Sequence, residues 1–249
     1  NDAAILPAPV DYTTDRLDAG LSWATRTFSL RLGFLGSWFD NGRQTLTWDN
    51  PFTGTESTRQ FRAQLAPDNE YLQVSLSGAW AITRDIRLSG HAAVGEGTQN
   101  DPFMPYSINP EFSDLVLPRD SLDGRVDTSV FNLGGKFYWK LARTLSLTAR
   151  YKYDERDNRT PVDVWTPVVA DFLQLDDERV NRPYGFERTQ YSADLRWRIS
   201  NPLRLSIGAR QKDMTRNLQP IEDSEETTLF TELQLNAWTG GQFRLKLEG

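Results

Sequence analysis

The stretch YLQVSLSGAWAITRDIRLSGHAAVGE, from Tyr71 to Glu96, alternates apolar and polar residues in two runs separated by a short polar turn. The apolar residues of the two runs are Leu72, Val74, Leu76, Gly78, Trp80, Ile86, Leu88, Gly90, Ala92 and Val94. A period of two residues is typical of a β-strand with one apolar and one polar face. The stretch therefore predicts a β-hairpin, and its apolar face could meet either a dry core or lipid.

The same alternation recurs in four further pairs of runs, and short turns join the runs of each pair. Turn length predicts the register, because a slip by one residue would move a strand's apolar residues to the other face. The expected turns and pairs are Thr83–Asp85 with Trp80 opposite Leu88, Thr25–Arg26 with Trp23 opposite Phe28, Ala142–Thr144 with Trp139 opposite Leu147, and Ser200–Pro202 with Trp197 opposite Leu205.

The connections between these hairpins are long, polar and rich in proline, glycine and aspartate. They are Asn41–Asn69, Gly97–Arg125, Glu155–Thr189 and Asp213–Thr227. Short turns that alternate with long loops are typical of outer-membrane barrels, and strands of about 9–12 residues are long enough to cross a bilayer at a tilt. Residues 1–249 are thus predicted to form a single all-β domain, an antiparallel up-and-down transmembrane β-barrel of about ten strands or an arc of one. Its short turns would be periplasmic and its long loops extracellular.

The composition excludes several classes of protein. The chain has 249 residues, a net charge of −6, no cysteine and one histidine, which excludes disulfides, thiolate metal sites and covalent haem attachment. It also lacks the basic character of a nucleic-acid-binding protein. A mean hydropathy of −0.56 is compatible with a membrane barrel, because half of each strand and all of the loops are wet.

Aromatic residues on the apolar face predict where the membrane interfaces lie. The predicted aromatic girdle comprises Trp23, Trp38, Trp80, Trp139, Tyr151, Tyr153, Tyr191 and Trp197. Some lie near the short turns and others near the long loops, as expected for two interfacial belts. The alternative, a soluble sandwich, would place bulky residues at mid-strand, where Gly78, Gly90 and Ala149 occur instead. This pattern favours a lipid-facing apolar surface.

The polar face carries an excess of cations. The predicted lumen-lining basic residues are Arg31, Arg87, Lys136, Arg150, Lys152, Arg196, Arg204, Arg210, Lys212 and Arg244. Only Asp18, Asp194 and Glu232 are expected to oppose them on this face, whereas Asp154 and Glu226 are assigned to loops. Such a lining would attract anions or an acidic partner. Alternatively, its cations pair with acids elsewhere in the barrel.

His91 is the one residue that suggests chemistry within this chain. Its parity places it on the polar face, opposite Ser77 and near other serines, so a serine–histidine hydrolase is an alternative. No third, orienting acid is evident in the sequence. We therefore predict that the chain is not an enzyme, has no catalytic residue, and binds no metal or cofactor of its own.

Several loop and strand motifs resemble one protein family. They include PAPVDYTTD (Pro7–Asp15), LTWDNPF (Leu46–Phe52), FRAQLAPDNEYLQVSLSGAW (Phe61–Trp80), TQNDPFMPYSINP (Thr98–Pro110), LPRDSLDGRVDT (Leu117–Thr128) and LNAWTGGQFRLKLE (Leu235–Glu248). These stretches look like the decahaem-associated outer-membrane β-barrel family of the MtrB/PioB type. The resemblance implies a porin-like sheath in the bacterial outer membrane that holds a periplasmic decahaem c-type cytochrome for electron transfer. The partner would carry the haem, and an extracellular multihaem cytochrome could meet the loops.

Members of that family are considerably longer than this chain. We therefore expect the ten strands to be an internal or C-terminal-side arc of a larger barrel, because a closed ten-stranded barrel would be too narrow to hold a cytochrome. Three alternatives stay open at this point: an anion-selective porin without a cytochrome partner, a soluble β-sandwich that binds carbohydrate through its aromatic residues, and an outer-membrane hydrolase that uses His91.

Overall fold

The structure is a computed structural model that describes residues 9–50, 60–102, 104, 108, 125–165, 168–170, 173–174, 177–238 and 241–249. Most of the predicted loop Gly97–Arg125 lies outside these residues. The strands are β1 (Tyr12–Ala24), β2 (Phe28–Asn41), β3 (Thr45–Asp49), β4 (Gln60–Gln64), β5 (Asn69–Ala81), β6 (Ile86–Gln99), β7 (Val126–Lys140), β8 (Leu145–Asn158), β9 (Val164–Trp165), β10 (Val168–Ala170), β11 (Leu173–Gln174), β12 (Arg179–Val180), β13 (Phe186–Arg198), β14 (Leu203–Arg216), β15 (Asp223–Trp238) and β16 (Gly241–Glu248). No helix in the described part of the chain is long and apolar enough to span a bilayer.

Ten of these strands form one sheet, the main sheet, in the order β1-β2-β5-β6-β7-β8-β13-β14-β15-β16. Each strand is antiparallel to its neighbours. Within the described residues β1 and β16 are the two edges and do not pair with each other, so the sheet is an open arc. This meander confirms the predicted up-and-down architecture.

The two faces of the main sheet differ in chemistry, and neither is covered by a second layer. On the apolar face Leu21 is 75% exposed, Leu76 46% and Trp197 46%, and no large side chain in the described part of the chain is fully buried. A soluble sandwich would bury one face of each sheet against the other. The prediction of a single exposed apolar surface is therefore confirmed, and the soluble β-sandwich alternative is wrong.

Three of the four predicted hairpin registers are confirmed: Trp80 opposite Leu88, Trp139 opposite Leu147, and Trp197 opposite Leu205. The register of the first hairpin is wrong by two residues, because Trp23 pairs with Leu30 and not with Phe28. The Thr25 hydroxyl explains the longer turn. It accepts a hydrogen bond from the backbone N–H of Phe28 at 3.0 Å, while the Thr25 N–H donates to the Phe28 carbonyl at 2.7 Å.

The strands of the main sheet are longer than predicted. All but β16 have 13 to 16 residues, which exceeds the ~9–11 residues that a bilayer requires. The predicted loop Asp213–Thr227 is consequently wrong, since Asp213 pairs with Glu225 and Thr215 with Asp223. Strand ends outside the bilayer need no apolar residues, so their polar sequence looks like a loop.

Two other predicted long loops contain short strand pairs. The connection between β2 and β5 contains the hairpin β3–β4, and the connection between β8 and β13 contains the pairs β9–β12 and β10–β11. In β3–β4 the rings of Trp48 and Phe61 lie 5.8 Å apart. These elements extend from the strand ends opposite the short turns.

Residues that pair laterally across successive strands form rows, and the position of a row within the strand shifts from one strand to the next. One row begins at Trp23, close to a short turn, and passes through Gly90 to Tyr191, which lies in the middle of β13. Such a shift is the stagger that tilted strands produce in a barrel. Because the strands are tilted, residues that pair laterally across the sheet lie at different depths along the barrel axis. A tryptophan close to a short turn and a tyrosine nearer a long connection can therefore belong to one row of paired residues and lie at opposite membrane interfaces.

Candidate functional site: the polar face of the main sheet

The polar face is built from two different halves. On β1, β2, β5 and β6 it consists mostly of small residues, which we call the small-residue wall: Gly20, Ser22, Ser29, Gly33, Ser75, Ser77, Ala79 and Ser89. On β7, β8, β13, β14 and β16 it carries the cationic wall: Lys136, Arg150, Lys152, Arg196, Arg204, Arg210, Lys212 and Arg244. The strand registers place all ten predicted basic residues on this face, with Arg31 and Arg87 in the first half.

Acidic partners neutralise three of the ten predicted basic residues. The Asp194 carboxylate accepts a hydrogen bond from Arg150 Nη1 at 2.6 Å, and the Asp194 side chain is only 8% exposed. Two further ion pairs join Arg244 to Glu232 at 3.1 Å and Lys212 to Glu226 at 3.5 Å.

The assignment of Asp154 and Glu226 to loops is wrong, because both lie on strands of the main sheet. Asp154 on β8 accepts hydrogen bonds from Arg188 on β13, the shorter at 2.7 Å. Both strands extend further than the sequence predicts, and this extension brings the two carboxylates onto the polar face. Ion pairs within the sheet thus neutralise part of the positive charge of the polar face.

The other seven predicted basic residues have no ion-pair partner in the described part of the chain: Arg31, Arg87, Lys136, Lys152, Arg196, Arg204 and Arg210. Some cations also face each other directly, since Lys136 lies opposite Arg150 and Arg198 opposite Arg204. Like charges opposite each other across antiparallel strands are destabilising. The cationic wall therefore holds positive charge that the sheet itself does not compensate.

His91 lies on the polar face between Ser77 on β5 and Gly134 on β7. Its imidazole covers the glycine so closely that a Cβ added to Gly134 would lie 2.1 Å from Cε1 of the ring. Among the described residues His91 has no hydrogen-bond partner, and no carboxylate orients the ring as a hydrolase triad would require. In the same part of the chain no group of three or more acidic or histidine side chains could hold a metal ion.

All eight residues of the predicted aromatic girdle lie on the apolar face. Tyr151 and Tyr191 are directly paired, with ring centroids 5.1 Å apart. The Trp38 ring folds back over Gly36, where an added Cβ would come within 2.4 Å of it. The depth of the eight aromatic residues in the membrane stays a prediction, as does the position of the ten basic residues in a lumen.

Side-chain hydrogen bonds join the ends of neighbouring strands opposite the short turns. Nothing in the sequence pattern predicted them. Arg159 Nη2 donates to Glu96 on β6 at 2.7 Å and to Asp127 on β7 at 2.8 Å. Its hydrogen bond to Asp127 is the main cause of a raised pKa for the Arg159 guanidinium. Asn217 has a similar role, because its Oδ1 accepts from the Gly185 N–H and its Nδ2 donates to the Pro183 carbonyl at 3.1 Å.

An open antiparallel meander with one apolar and one cationic face defines the chain as part of an outer-membrane β-barrel. The chain belongs to the MtrB/PioB family, since the family model described as outer membrane beta-barrel porin, MtrB/PioB, matches residues 1–249. It is 28% identical over 239 residues to outer membrane protein MtrB of Shewanella baltica (strain OS185). That match covers 96% of this chain and 33% of the relative, so the chain spans about a third of the relative's length.

Solved structures support the fold independently. The ferric enterobactin receptor PfeA from Pseudomonas aeruginosa superposes with a TM-score of 0.56 at 11% identity, over 96% of this chain and 36% of the receptor. The siderophore receptor PirA from Acinetobacter baumannii superposes with a TM-score of 0.54 at 9% identity, over 95% and 33% of the two chains. The predicted family, the barrel fold and the outer-membrane location are thus confirmed.

Proposed function

We propose that this chain forms part of a porin-like sheath that holds a periplasmic multihaem c-type cytochrome across the outer membrane. The apolar face of the main sheet meets lipid, and the polar face lines the lumen in which the cytochrome sits. Electrons pass along the partner's haems between periplasm and exterior. With no cysteine, this chain has no residue that could attach a c-type haem covalently, so in this proposal the partner carries the haems and the role of the chain is structural.

The observation that carries this proposal is the uncompensated charge of the cationic wall. Arg196, Arg204 and Arg210 have no ion-pair partner within 4 Å among the described residues, although the Glu248 carboxylate lies near enough to Arg210 to attract it electrostatically. Cations of one sign that line a confined concave surface attract an acidic surface more strongly than isolated cations on an open surface. A cytochrome with acidic side chains or exposed haem propionates would supply the missing negative charge. The partner would then relieve the repulsion between neighbouring cations of the wall.

The extracellular end of the sheath is proposed to meet a second partner. The long connections between β2 and β5 and between β8 and β13 extend beyond the main sheet and contain strand pairs of their own. An extracellular multihaem cytochrome that docks on these connections would receive or supply electrons at the outer surface. The sheath would then hold both redox partners close enough for transfer without carrying a redox group itself.

Charge reversal tests the sheath function directly in the full-length barrel. The triple variant Arg196→Glu, Arg204→Glu and Arg210→Glu should lose most of the multihaem cytochrome that co-purifies with the wild-type barrel, measured by haem absorbance per barrel. The control variant Arg26→Glu, Arg84→Glu and Arg143→Glu changes the net charge equally, at exposed positions in the short turns, and should retain the cytochrome. Unchanged retention in the first variant would contradict the proposal.

The same unpaired cations also favour a second candidate function, an anion-selective porin without a cytochrome partner. Rings of Arg and Lys select anions in pores. Conductance of the purified barrel in a planar bilayer separates the two functions. A sheath should conduct weakly while the cytochrome is bound and become anion-selective only after the cytochrome is removed. A porin should conduct anions as isolated from cells, with no haem protein present.

A further inference from the structure

A concavity of about 270 Å³ lies in the polar face where β6, β7, β8 and β13 adjoin. Its side-chain lining includes Ser89, His91, Lys136, Arg150, Lys152 and Ser192. We call this concavity the lysine cup. Its floor is the backbone at Gly134 on β7, which is buried; Lys136 lies two residues further along the same strand, Lys152 lies directly opposite Gly134 on β8, and both lysines are exposed.

The polar groups of the lysine cup are mainly hydrogen-bond donors, and no acidic side chain lines it. Neither Lys136 nor Lys152 has an ion-pair partner in the described part of the chain. Arg150 directs Nη1 to Asp194 at 2.6 Å, and its remaining guanidinium N–H groups are free of any described partner. Donors that converge without an acceptor are arranged for an anion that enters from outside the sheet.

The backbone at the floor is part of this arrangement. Because Gly134 has no Cβ, the His91 ring lies against it; an added Cβ would come within 2.1 Å of the ring. A larger residue at 134 would fill the concavity between the two lysines. The cross-strand pair Lys136–Arg150 also costs stability through like-charge repulsion, which a bound anion would offset.

We propose that the lysine cup binds a carboxylate of the protein that occupies the lumen, with the ammonium groups of Lys136 and Lys152 as its principal donors. Two sources of this carboxylate share the same chemistry, an acidic side chain and a haem propionate. The identity of the occupant rests on the proposed function, whereas the carboxylate specificity rests on the cup alone.

Two measurements on the full-length barrel test the cup. In the first, citrate serves as the carboxylate probe for isothermal titration of barrel freed of its partner. The double variant Lys136→Gln and Lys152→Gln should bind citrate at least about tenfold more weakly, because it loses two charge-assisted hydrogen bonds. The matched control is Lys212→Gln and Lys246→Gln, which removes the same charge from lysines already paired with Glu226 and Glu248. It should bind citrate nearly as the wild type does.

The second measurement identifies the source of the carboxylate in the intact complex. A carbodiimide condenses a lysine amine with a nearby carboxylate into an amide, and takes up the released water to become a urea. Mass spectrometry should find Lys136 or Lys152 joined either to an acidic side chain of the partner or to a haem propionate. Both barrel variants should first show the heat-dependent gel shift of a folded barrel.

The possible results distinguish a failure of the lysine cup from a failure of the sheath function. Equal citrate affinity of the two double variants would overturn the lysine cup, even if cytochrome retention were normal. Selective loss of citrate binding in a barrel that never co-purifies with a cytochrome would support the cup and contradict the sheath function. Amide links from Lys212 to the partner, with none from Lys136 or Lys152, would also overturn the proposal, whereas a link from Lys212 to Glu226 within the barrel is expected from their ion pair.

Discussion

The two halves of the main sheet share one kind of apolar face and differ on the polar face. In β1, β2, β5 and β6 the polar face is mostly glycine, serine and alanine, and the only ion pair among its described residues, Arg16–Asp18, is long at 3.8 Å and exposed. In β7 to β16 the same face carries the cationic wall and a buried acid, Asp194. Lipid requires apolar side chains on the outer face of every strand, whereas the side chains on the lumen face can differ from strand to strand.

In the sheath that we propose, the two halves would have different roles. The small-residue wall would leave room for a large occupant to approach the backbone closely. The cationic wall would supply positive charge, some of it neutralised within the sheet and some left for the occupant. If this account is right, substitutions on the apolar face should have equal effects in the two halves, and substitutions on the polar face should not.

The largest expected effect comes from placing a charge on the apolar face. Leu76→Arg on β5 and Leu195→Arg on β13 should each lower the free energy of unfolding in phospholipid vesicles by about 2–4 kcal/mol, since arginine in the bilayer interior is poorly solvated. Ser75→Arg, on the opposite face of β5, should change it by less than about 0.5 kcal/mol. A larger cost for Ser75→Arg than for Leu76→Arg would reverse the assignment of the two faces.

A smaller effect is expected from removing the acid of the cationic wall. Asp194→Asn should lower the free energy of unfolding by about 1–3 kcal/mol, because it leaves Arg150 among other cations without its partner. The matched change in the other half, Asp18→Asn, removes an exposed ion pair and should cost less than about 0.5 kcal/mol. Denaturant titration of both variants measures the difference, and equal costs would argue against two distinct walls.

The smallest effect is expected where the two halves meet, at Gly134 and Gly135. Gly134→Ala should destabilise the barrel by about 1 kcal/mol because the new methyl group displaces the His91 ring. Gly135→Ala points to the apolar face, where an added Cβ has nothing within 4 Å, and should be neutral or slightly stabilising. Thermal unfolding of the two variants, compared at equal lipid content, checks the order.

The sequence predicts the faces of the sheet better than its edges and ends. Pairs such as Trp80–Leu88 could be predicted because turn length and face alternation constrain each other. The first hairpin could not, because a shift of two residues keeps every side chain on its face. Only the Thr25 side chain, which closes the longer turn, distinguishes the two registers.

The ion pairs of the polar face were only partly predictable. Hydrophobic alternation stops where strands leave the bilayer, so the acidic ends of β8 and β15 look like loops. Asp154 and Glu226 were assigned to loops for this reason, although each faces a cation on a neighbouring strand. A charge pattern that is complementary between consecutive runs, such as Lys212 with Glu226, is the signal that could have revealed these pairs.

The most direct test of the account asks whether the cationic wall faces a protein occupant. The 249-residue sequence has no cysteine, so Ser192→Cys on β13 introduces one thiol into this part of the barrel, beside Arg150 and Arg210 on the polar face. Its rate of reaction with a charged, water-soluble maleimide is measured in the full-length barrel before and after removal of the cytochrome, and the full-length barrel without the substitution serves as the blank. We expect slow reaction in the complex and severalfold faster reaction in the empty barrel. The same rate in both states would contradict this account.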